Sequence, residues 1–221
     1  MKAALRKAGN LSGMLAPLLW AGAIVYCGAL RPAFSHYRQY ISELGERASS
    51  TELIMRYTGF VPTGLLHIAF AAFLLVTFRG QRAATIGALL IALNGAARIA
   101  AGMFPCDLGC SLPQPSLDQR LHSWAATVGF LSLIAAAFVW GWLFRCNERL
   151  RCLSSYTLIT ACVATLFVVL TSVSDATRAG TGLYERLSSG ALSLWLLVFA
   201  ARLWWLGAYS GDTKAGSIKS H

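Results

Sequence analysis

The chain has 221 residues, of which 56% are hydrophobic and 13% are charged, and its mean hydropathy is +0.57. This composition excludes an ordinary water-soluble domain, in which about 25% of residues are charged. A net charge of +10 would suit a nucleic-acid-binding protein, but the basic residues lie between and beyond long apolar runs, which argues against nucleic acid and for membrane lipids as the partners.

Six apolar runs are long enough to cross a bilayer, whose hydrocarbon core of about 30 Å needs about 20 helical residues. Backbone groups in lipid must pair within their own segment, and the runs lack the period-two alternation of barrel strands. We therefore predict an all-α fold, a polytopic membrane protein with six transmembrane helices in one bundle. The predicted spans are Leu11–Leu30, Leu53–Phe78, Ala83–Met103, Arg120–Phe144, Leu153–Ser174 and Leu183–Gly207.

The connections between the spans predict the orientation. Basic residues cluster at the N-terminus, in the second and fourth connections and at the C-terminus, so the positive-inside rule places both termini in the cytoplasm of a cell carrying the protein in its inner or plasma membrane. We expect one transmembrane domain over residues 1–209 and a disordered cytoplasmic tail over residues 210–221, which is polar and rich in Gly, Ser and Lys.

The acidic residues gather on the opposite, extracytoplasmic side, where the first and third connections are also the longest. Long connections in compact proteins are usually functional or disordered. The first alternates aromatic and apolar with polar residues, as in a short amphipathic or re-entrant segment. We therefore expect a charged pocket at this face. Seven of the nine acidic residues lie there: Glu43, Glu46, Glu52, Asp107, Asp118, Asp175 and Glu185.

Arg98 is placed about one and a half turns inside the predicted third helix. An arginine at that depth is costly and usually pairs with an anion inside the bundle or in a wet cavity. Its anion could be Asp175, Glu43, Asp107 or a ligand headgroup. The alternative is that the side chain extends to the interface, about 8 Å away at 1.5 Å per residue.

Four residues on this side are candidates for catalysis or metal binding. His122 follows Asp118 by four residues, a spacing that places both on one helix face and suits a metal or an oriented proton-transfer histidine. Ser116 and Gln119 predict a capping box at the start of the same helix. No motif identifies a cofactor. The catalytic candidates are His36, Asp107, His122 and Asp175, and the first three are also candidate metal ligands.

Cys106 and Cys110 lie close together in the third connection. If that compartment is oxidising, a local disulfide is a candidate. Two free thiols and a metal pair are the alternatives, the metal pair being the weakest because the C-x3-C spacing has no second cysteine pair.

Short blocks in these connections resemble the prokaryotic family called "domain of unknown function 998", and the likeness covers most of the chain. The family has no established reaction, so the resemblance supports the fold and the choice of site residues but implies no chemistry. The blocks are Ser35-His36, Ile41–Gly45, Phe104–Asp107, Leu121-His122 and Gly182–Arg186.

A more distant likeness links the Ser42-Glu43 block and the helix start at His122 to the eukaryotic Frag/DRAM/Sfk membrane proteins. That group has six spans, and some members are tied to lipid remodelling or lipid distribution. Glu43 stands where the group tends to carry aspartate.

The favoured function is recognition or handling of a lipid or other amphiphile by its polar headgroup, in the pocket at the extracytoplasmic face. Arginines would contact an acidic headgroup, and carboxylates would hold those arginines or bind a metal. The predicted ligand-binding residues are Ser42, Glu43, Arg98, Arg178, Glu185 and Arg186.

Three other roles stay open. A membrane-embedded hydrolase or transferase, with or without a metal, would use the four catalytic candidates and requires them to converge. A small-solute transporter requires a polar path towards the cytoplasm through Asn94 and His67. A purely structural role requires no ligand.

Overall fold

The structure is a computed structural model that describes residues 3–111 and 113–207. Within these residues it is helical and contains no strand, and six helices are long and apolar enough to cross a membrane. This confirms the predicted all-α class and the six spans. The helices are α1 (Ala3–Ala29), α2 (Glu52–Thr77), α3 (Arg82–Met103), α4 (Leu117–Arg145), α5 (Ser154–Ser174) and α6 (Thr181–Trp205).

The predicted span limits agree with the helix ends except at the start of α1. That helix begins at Ala3 rather than at Leu11, because its polar first turns pack on the end of α6. The Lys7 ammonium lies 5.3 Å from the centre of the Trp204 ring, and the Asn10 amide pairs with the Ala200 carbonyl. Hydropathy does not register such contacts. The predicted tail over residues 210–221 lies outside the described residues.

The helices form a closed bundle, because each packs against its neighbours in the chain and α1 packs against α6. An aromatic core fills the end of the bundle at which α1 begins and α6 ends, which we call the basic end. There the rings of Trp140 and Phe199 are 4.8 Å apart and those of Phe144 and Phe199 are 4.9 Å apart. The opposite end, which carries residues 30–51, 104–116 and 175–180, is called the acidic end.

Helix α2 changes its winding near the acidic end. Residues Met55–Phe60 form a π-helical segment just before Pro62. Single π turns inside α-helices are rare and often lie at functional sites. Here the guanidinium of Arg56 donates to the carbonyls of Gly102 (2.8 Å) and Met103 (3.0 Å). Both carbonyls lie in the last turn of α3, where no backbone N–H of the helix is left to bond to them.

The first connection folds back into the acidic end instead of lying on its surface. Its residues 36–46, called here the plug, include a 3-10 turn over Ile41–Gly45. Ile41 and Leu44 are 1% and 0% exposed and pack in a small apolar cluster with Trp20, Met55 and Phe60. The plug therefore covers the interior of the bundle.

Candidate functional site

Glu43 holds the plug in place. Its carboxylate is buried and accepts hydrogen bonds from Arg178 Nη1 (2.8 Å), the Tyr40 backbone N–H (3.0 Å) and Gln39 Nε2 (2.7 Å). A buried carboxylate is tolerated when it is paired and its lone pairs are satisfied. Glu43 and Arg178, both predicted ligand-binding residues, therefore neutralise each other in the structure.

The third connection is clamped between the plug and the turn before α6. Cys106 and Cys110 form a disulfide, so the candidate bond is present. In the loop that it closes, the Gly109 N–H donates to Glu46 Oε2 (2.6 Å) and the Gly109 carbonyl accepts from Arg178 Nη2 (2.8 Å). Gly109 has a φ of 68°, a conformation in which a side chain would be strained. Arg31 completes the clamp by pairing with Glu46 at 2.8 Å.

Arg186 binds the far side of the plug. Its Nη1 donates to the carbonyls of Gln39 (2.7 Å) and Gly182 (2.8 Å), and its Nε donates to Nδ1 of His36 (3.2 Å). His36, a candidate catalytic residue and metal ligand, is therefore an acceptor for an arginine. Partial burial and the charge of Arg186 lower the pKa of His36 from its usual 6.5.

We expect this contact to make the stability of the protein depend on pH. Since the pKa of His36 is lower in the folded than in the unfolded protein, the unfolded protein takes up the proton first. The contribution of neutral His36 to the free energy of unfolding is complete above 6.5, its pKa in the unfolded protein. This contribution is lost as the pH falls through the lower pKa of the folded protein. Thermal unfolding in detergent between about pH 8 and about pH 5 should show a decrease in stability that is smaller in His36→Gln than in the wild type. An unchanged slope in that variant would assign the decrease to another group.

Asp107 organises the start of α4. Its carboxylate accepts from the Ser116 backbone N–H (2.9 Å) and from Ser116 Oγ (2.8 Å), and these bonds lower the pKa of Asp107. Ser116 Oγ in turn accepts from the Gln119 N–H (3.1 Å), as predicted for the cap. The reciprocal half of the predicted capping box is wrong: the Gln119 side chain accepts from the Asp107 N–H (2.8 Å), since Asp107 already occupies the Ser116 N–H.

Asp175 is also engaged at the surface. It accepts a hydrogen bond from the Tyr40 hydroxyl (2.8 Å), and its carboxylate lies 3.7 Å from Arg178 Nε. Burial, and after it this hydrogen bond, raise the pKa of Tyr40. Asp175 therefore belongs to the same network that fixes the plug.

Beneath the plug lies a cavity of about 60 Å³, called the inner cavity. Most of its wall is apolar or consists of small residues from α3, α4 and α6. Its ionisable and polar lining residues come from four different helices and from the plug: Trp20, Ser42, Asn94, Arg98, His122, Glu185 and Ser189.

Arg98 is the cation of the inner cavity. None of its three guanidinium nitrogens has a hydrogen-bond partner among the described residues, and Nε and Nη1 are fully buried. The guanidinium lies 4.2 Å from the centre of the Trp20 ring, which Ser189 orients through a 3.0 Å bond from the indole N–H. Stacking on tryptophan compensates part of the desolvation of a cation, but it supplies no acceptor.

His122 presents a free ring nitrogen to the cavity. Its Nδ1 lies 3.0 Å from the Ala101 carbonyl and 2.9 Å from the Phe104 carbonyl, and since both are acceptors, Nδ1 carries the proton. Nε2 is buried and has no partner in residues 3–111 and 113–207. In the neutral ring this nitrogen is an acceptor, and the side chain is only 4% exposed.

Glu185 lines the cavity, and only one of its two carboxylate oxygens forms a hydrogen bond with a described residue. Oε2 accepts from the Ile41 backbone N–H (2.5 Å), which ties the plug to α6, whereas Oε1 has no hydrogen bond in the described part of the chain. Glu185 and Arg98 share the cavity without forming an ion pair. Asn94, unlike Glu185 and Arg98, has a hydrogen-bond partner for each polar atom of its side chain. Its Oδ1 lies 2.6 Å from Nδ1 of His67, and its Nδ2 donates to the Gly129 carbonyl (2.7 Å).

A second cavity of about 280 Å³ runs along the groove between α4 and α5, and we call it the groove. Its walls include the exposed side chains of Ser123, Thr127, Leu131 and Ser172, so it is open at the side of the bundle. It shares five lining residues with the inner cavity and therefore adjoins it. These junction residues are Ser42, His122, Ala126, Phe130 and Glu185.

The structure thus divides the predicted site residues into two groups. Ser42, Arg98, His122 and Glu185 meet at the inner cavity. The others bond to the plug or to loop backbone, and no group of three His, Cys, Asp or Glu residues among those described is placed to hold a metal. In particular, the three candidate metal ligands are not brought together. The residues outside the inner cavity are His36, Glu43, Asp107, Asp175, Arg178 and Arg186.

Sequence reasoning missed Trp20 and Ser189. Trp20 had one signal, since it lies in the middle of an apolar run rather than at an interface, where transmembrane helices usually carry tryptophan. Nothing in the sequence distinguishes Ser189 from the other hydroxyl residues of α6.

A family model described as "Protein of unknown function (DUF998)" matches residues 14–202, which include all six helices at least in part. No curated protein and no solved structure matches the chain. The match covers far more than half of the sequence and spans both the inner cavity and the plug. The chain therefore belongs to the DUF998 family of multi-pass membrane proteins of unknown function.

Proposed function

We propose that this protein binds an amphiphile by its acidic headgroup in the inner cavity. The observation that supports this best is the Arg98 guanidinium, which lies within a membrane-spanning helix and lacks any hydrogen-bond partner among the described residues. Such an arginine is costly unless it is paired. Arg31, Arg56 and Arg178 each pair with a carboxylate. Glu185, the acidic residue that lines the inner cavity, forms no ion pair with Arg98, so a headgroup anion would supply the acceptor that Arg98 lacks.

The groove supports an amphiphile rather than a small soluble anion. It adjoins the inner cavity at Ser42, His122 and Glu185 and continues between α4 and α5 at the side of the bundle. Leu131, an apolar residue that lines the groove, is 55% exposed. A headgroup at Arg98 could therefore keep its chains in the groove. The basic residues at the other end favour an extracytoplasmic cavity in the inner or plasma membrane.

Lipid retention tests the proposal. We expect the wild-type protein, incubated with phosphatidylcholine vesicles that contain phosphatidylglycerol and phosphatidylserine, to retain acidic lipid in native mass spectrometry. Arg98→Gln should reduce the retained acidic lipid about tenfold or more, since a hydrogen bond to a charged group contributes about 1.5–3 kcal/mol.

Arg120→Gln is the matched control, because Arg120 is exposed near the same end and does not line either cavity. It should retain lipid like the wild type. If Arg98→Gln does not fold, Arg98→Lys keeps the charge and should retain acidic lipid more weakly. Retention that is equal in wild type and a folded Arg98→Gln protein would contradict the proposal.

A hydrolase or transferase acting on the same headgroup is the second candidate. One observation favours it: the orientation of His122 by two carbonyls leaves Nε2 as a proton acceptor at the junction. The other three catalytic candidates lie outside the inner cavity, so this chemistry would depend on His122 and Glu185. The transporter has less support, since Asn94, in the wall of the inner cavity, is already bonded to His67 and to the Gly129 carbonyl.

A further inference from the structure

The junction between the two cavities carries hydrogen-bond acceptors rather than donors. Glu185 Oε1 and His122 Nε2 have no partner in the described residues. The Ser42 hydroxyl lies 3.3 Å from Sγ of Cys110, and since that sulfur belongs to a disulfide, the hydroxyl is the donor there and its oxygen lone pairs are free. Three acceptors, one of them a carboxylate, suit a group with three N–H donors and a positive charge.

The charges follow a fixed order from the groove inwards. Ser42, His122 and Glu185 line both cavities, whereas Arg98 and Trp20 line only the inner one. A ligand that enters from the groove therefore meets the acceptors first and the guanidinium last. A complementary ligand therefore has a terminal anion, which reaches Arg98, and a cation between this anion and the part of the ligand that lies in the groove.

Resting on the proposed function, we propose that the headgroup ends in an α-amino acid, with its ammonium at the junction and its carboxylate on Arg98. An ethanolamine headgroup has the reverse order, because its phosphate precedes its amine and nothing anionic follows. A quaternary choline has no N–H to donate. A glycerol headgroup offers no cation to Glu185.

The size of the inner cavity agrees with this choice. At about 15 Å³ for each water-sized group, its volume of about 60 Å³ accommodates about four such groups. A carboxylate with its α-carbon and amine is of that size, whereas a sugar or inositol ring is larger. The remainder of the molecule would lie in the groove, which is several times larger.

The same amino acid group could belong to a lipid or to a free amino acid, and the open groove favours the lipid. The test compares three phospholipids with identical chains: phosphatidylserine, phosphatidylethanolamine, which lacks the carboxylate, and phosphatidyl-3-hydroxypropionate, which lacks the amine. Each is offered to the detergent-solubilised 221-residue protein, and the retained lipid is measured by native mass spectrometry. Free L-serine and O-phospho-L-serine are added as competitors in a separate arm.

We expect wild-type protein to retain phosphatidylserine about tenfold better than either analogue. Glu185→Gln should abolish the preference for phosphatidylserine over the hydroxypropionate lipid while leaving the latter bound, because glutamine still accepts from the Ile41 N–H and so keeps the plug in place. Glu52→Gln is the matched control, since Glu52 pairs with Arg56 at the same end and lines neither cavity.

Equal retention of phosphatidylserine and phosphatidylethanolamine would overturn the amino acid assignment. If Arg98→Gln still lost both lipids in that case, binding of an amphiphile by Arg98 would stand, so the two failures are distinguishable. Displacement of phosphatidylserine by millimolar free L-serine would overturn the assignment to a lipid and identify a free amino acid as the ligand.

Discussion

Replacing Glu43 by alanine should reduce the free energy of unfolding by about 3–5 kcal/mol, because it removes a buried carboxylate and leaves three hydrogen-bond donors without their acceptor. These donors are Arg178 Nη1, the Tyr40 N–H and the Gln39 amide. Among the described residues, Arg178 keeps only the Gly109 carbonyl and the more distant Asp175 carboxylate as acceptors. Reversible unfolding in mixed micelles of mild detergent and dodecyl sulfate measures the change.

A surface ion pair of the same end provides the control. Asp118 pairs with Arg47, but 38% and 51% of the two side chains are exposed. Exposed pairs contribute about 0–1 kcal/mol, so Asp118→Ala should unfold almost like the wild type. If Glu43→Ala and Asp118→Ala lower the free energy of unfolding by the same amount, the plug is not held by its buried carboxylate. Our assignment of a structural role to Glu43, rather than a role in ligand binding, is then wrong.

The second large effect concerns the crossing of α2 and α3. A Cβ on Gly95 would lie 2.6 Å from the Gly64 carbonyl oxygen, and a Cβ on Gly64 would lie 2.5 Å from the Gly95 carbonyl oxygen. These neighbours are backbone atoms, which cannot move aside as a flexible side chain can. Gly95→Ala should therefore separate the helices and cost about 2–3 kcal/mol, within the usual range for overpacking. The same unfolding assay measures it.

The expected damage extends to the cavity, because Asn94 is adjacent and Arg98 lies one turn further along α3. Acidic lipid retention should therefore fall in Gly95→Ala as well. Gly190→Ala and Gly22→Ala are the controls, since an added Cβ meets no atom within 4 Å at either site. Both should be neutral or slightly stabilising, as alanine is the better helix former. Equal stability of Gly95→Ala and Gly190→Ala would show that the crossing tolerates a wider spacing.

The helices were predictable because the bilayer imposes a length and a polarity on each span, and both can be read from local sequence. What hydropathy could not supply was the start of α1, since Lys7 and Asn10 are helical through contacts with α6. The plug was anticipated as an amphipathic or re-entrant segment. Its depth was not, because burial of Glu43 requires an arginine that is 135 residues away in the chain.

The site was predictable only to the level of which end of the bundle it occupies. Charge placement identified the acidic end, and the depth of Arg98 in its helix singled it out, yet Arg178 and Arg186 were predicted to bind the ligand as well. The difference between Arg98 and these two depends on which face of a helix or turn each arginine occupies and on the path of the plug between them. Arg178 and Arg186 find carboxylate or carbonyl acceptors there, whereas Arg98 faces the interior beside Trp20. Pairing is a tertiary property, and one sequence contains little direct information about it.

The plug also constrains the order in which the protein is made. Its bonds reach forward by 135 residues from Glu43 to Arg178 and by 144 residues from Ile41 to Glu185. A chain still on the ribosome, inserted only as far as α5, has neither Arg178 nor Glu185. The acidic end therefore closes only after the start of α6 has been made, and in every shorter chain residues 36–46 lack the two bonds that join them to this part of the protein.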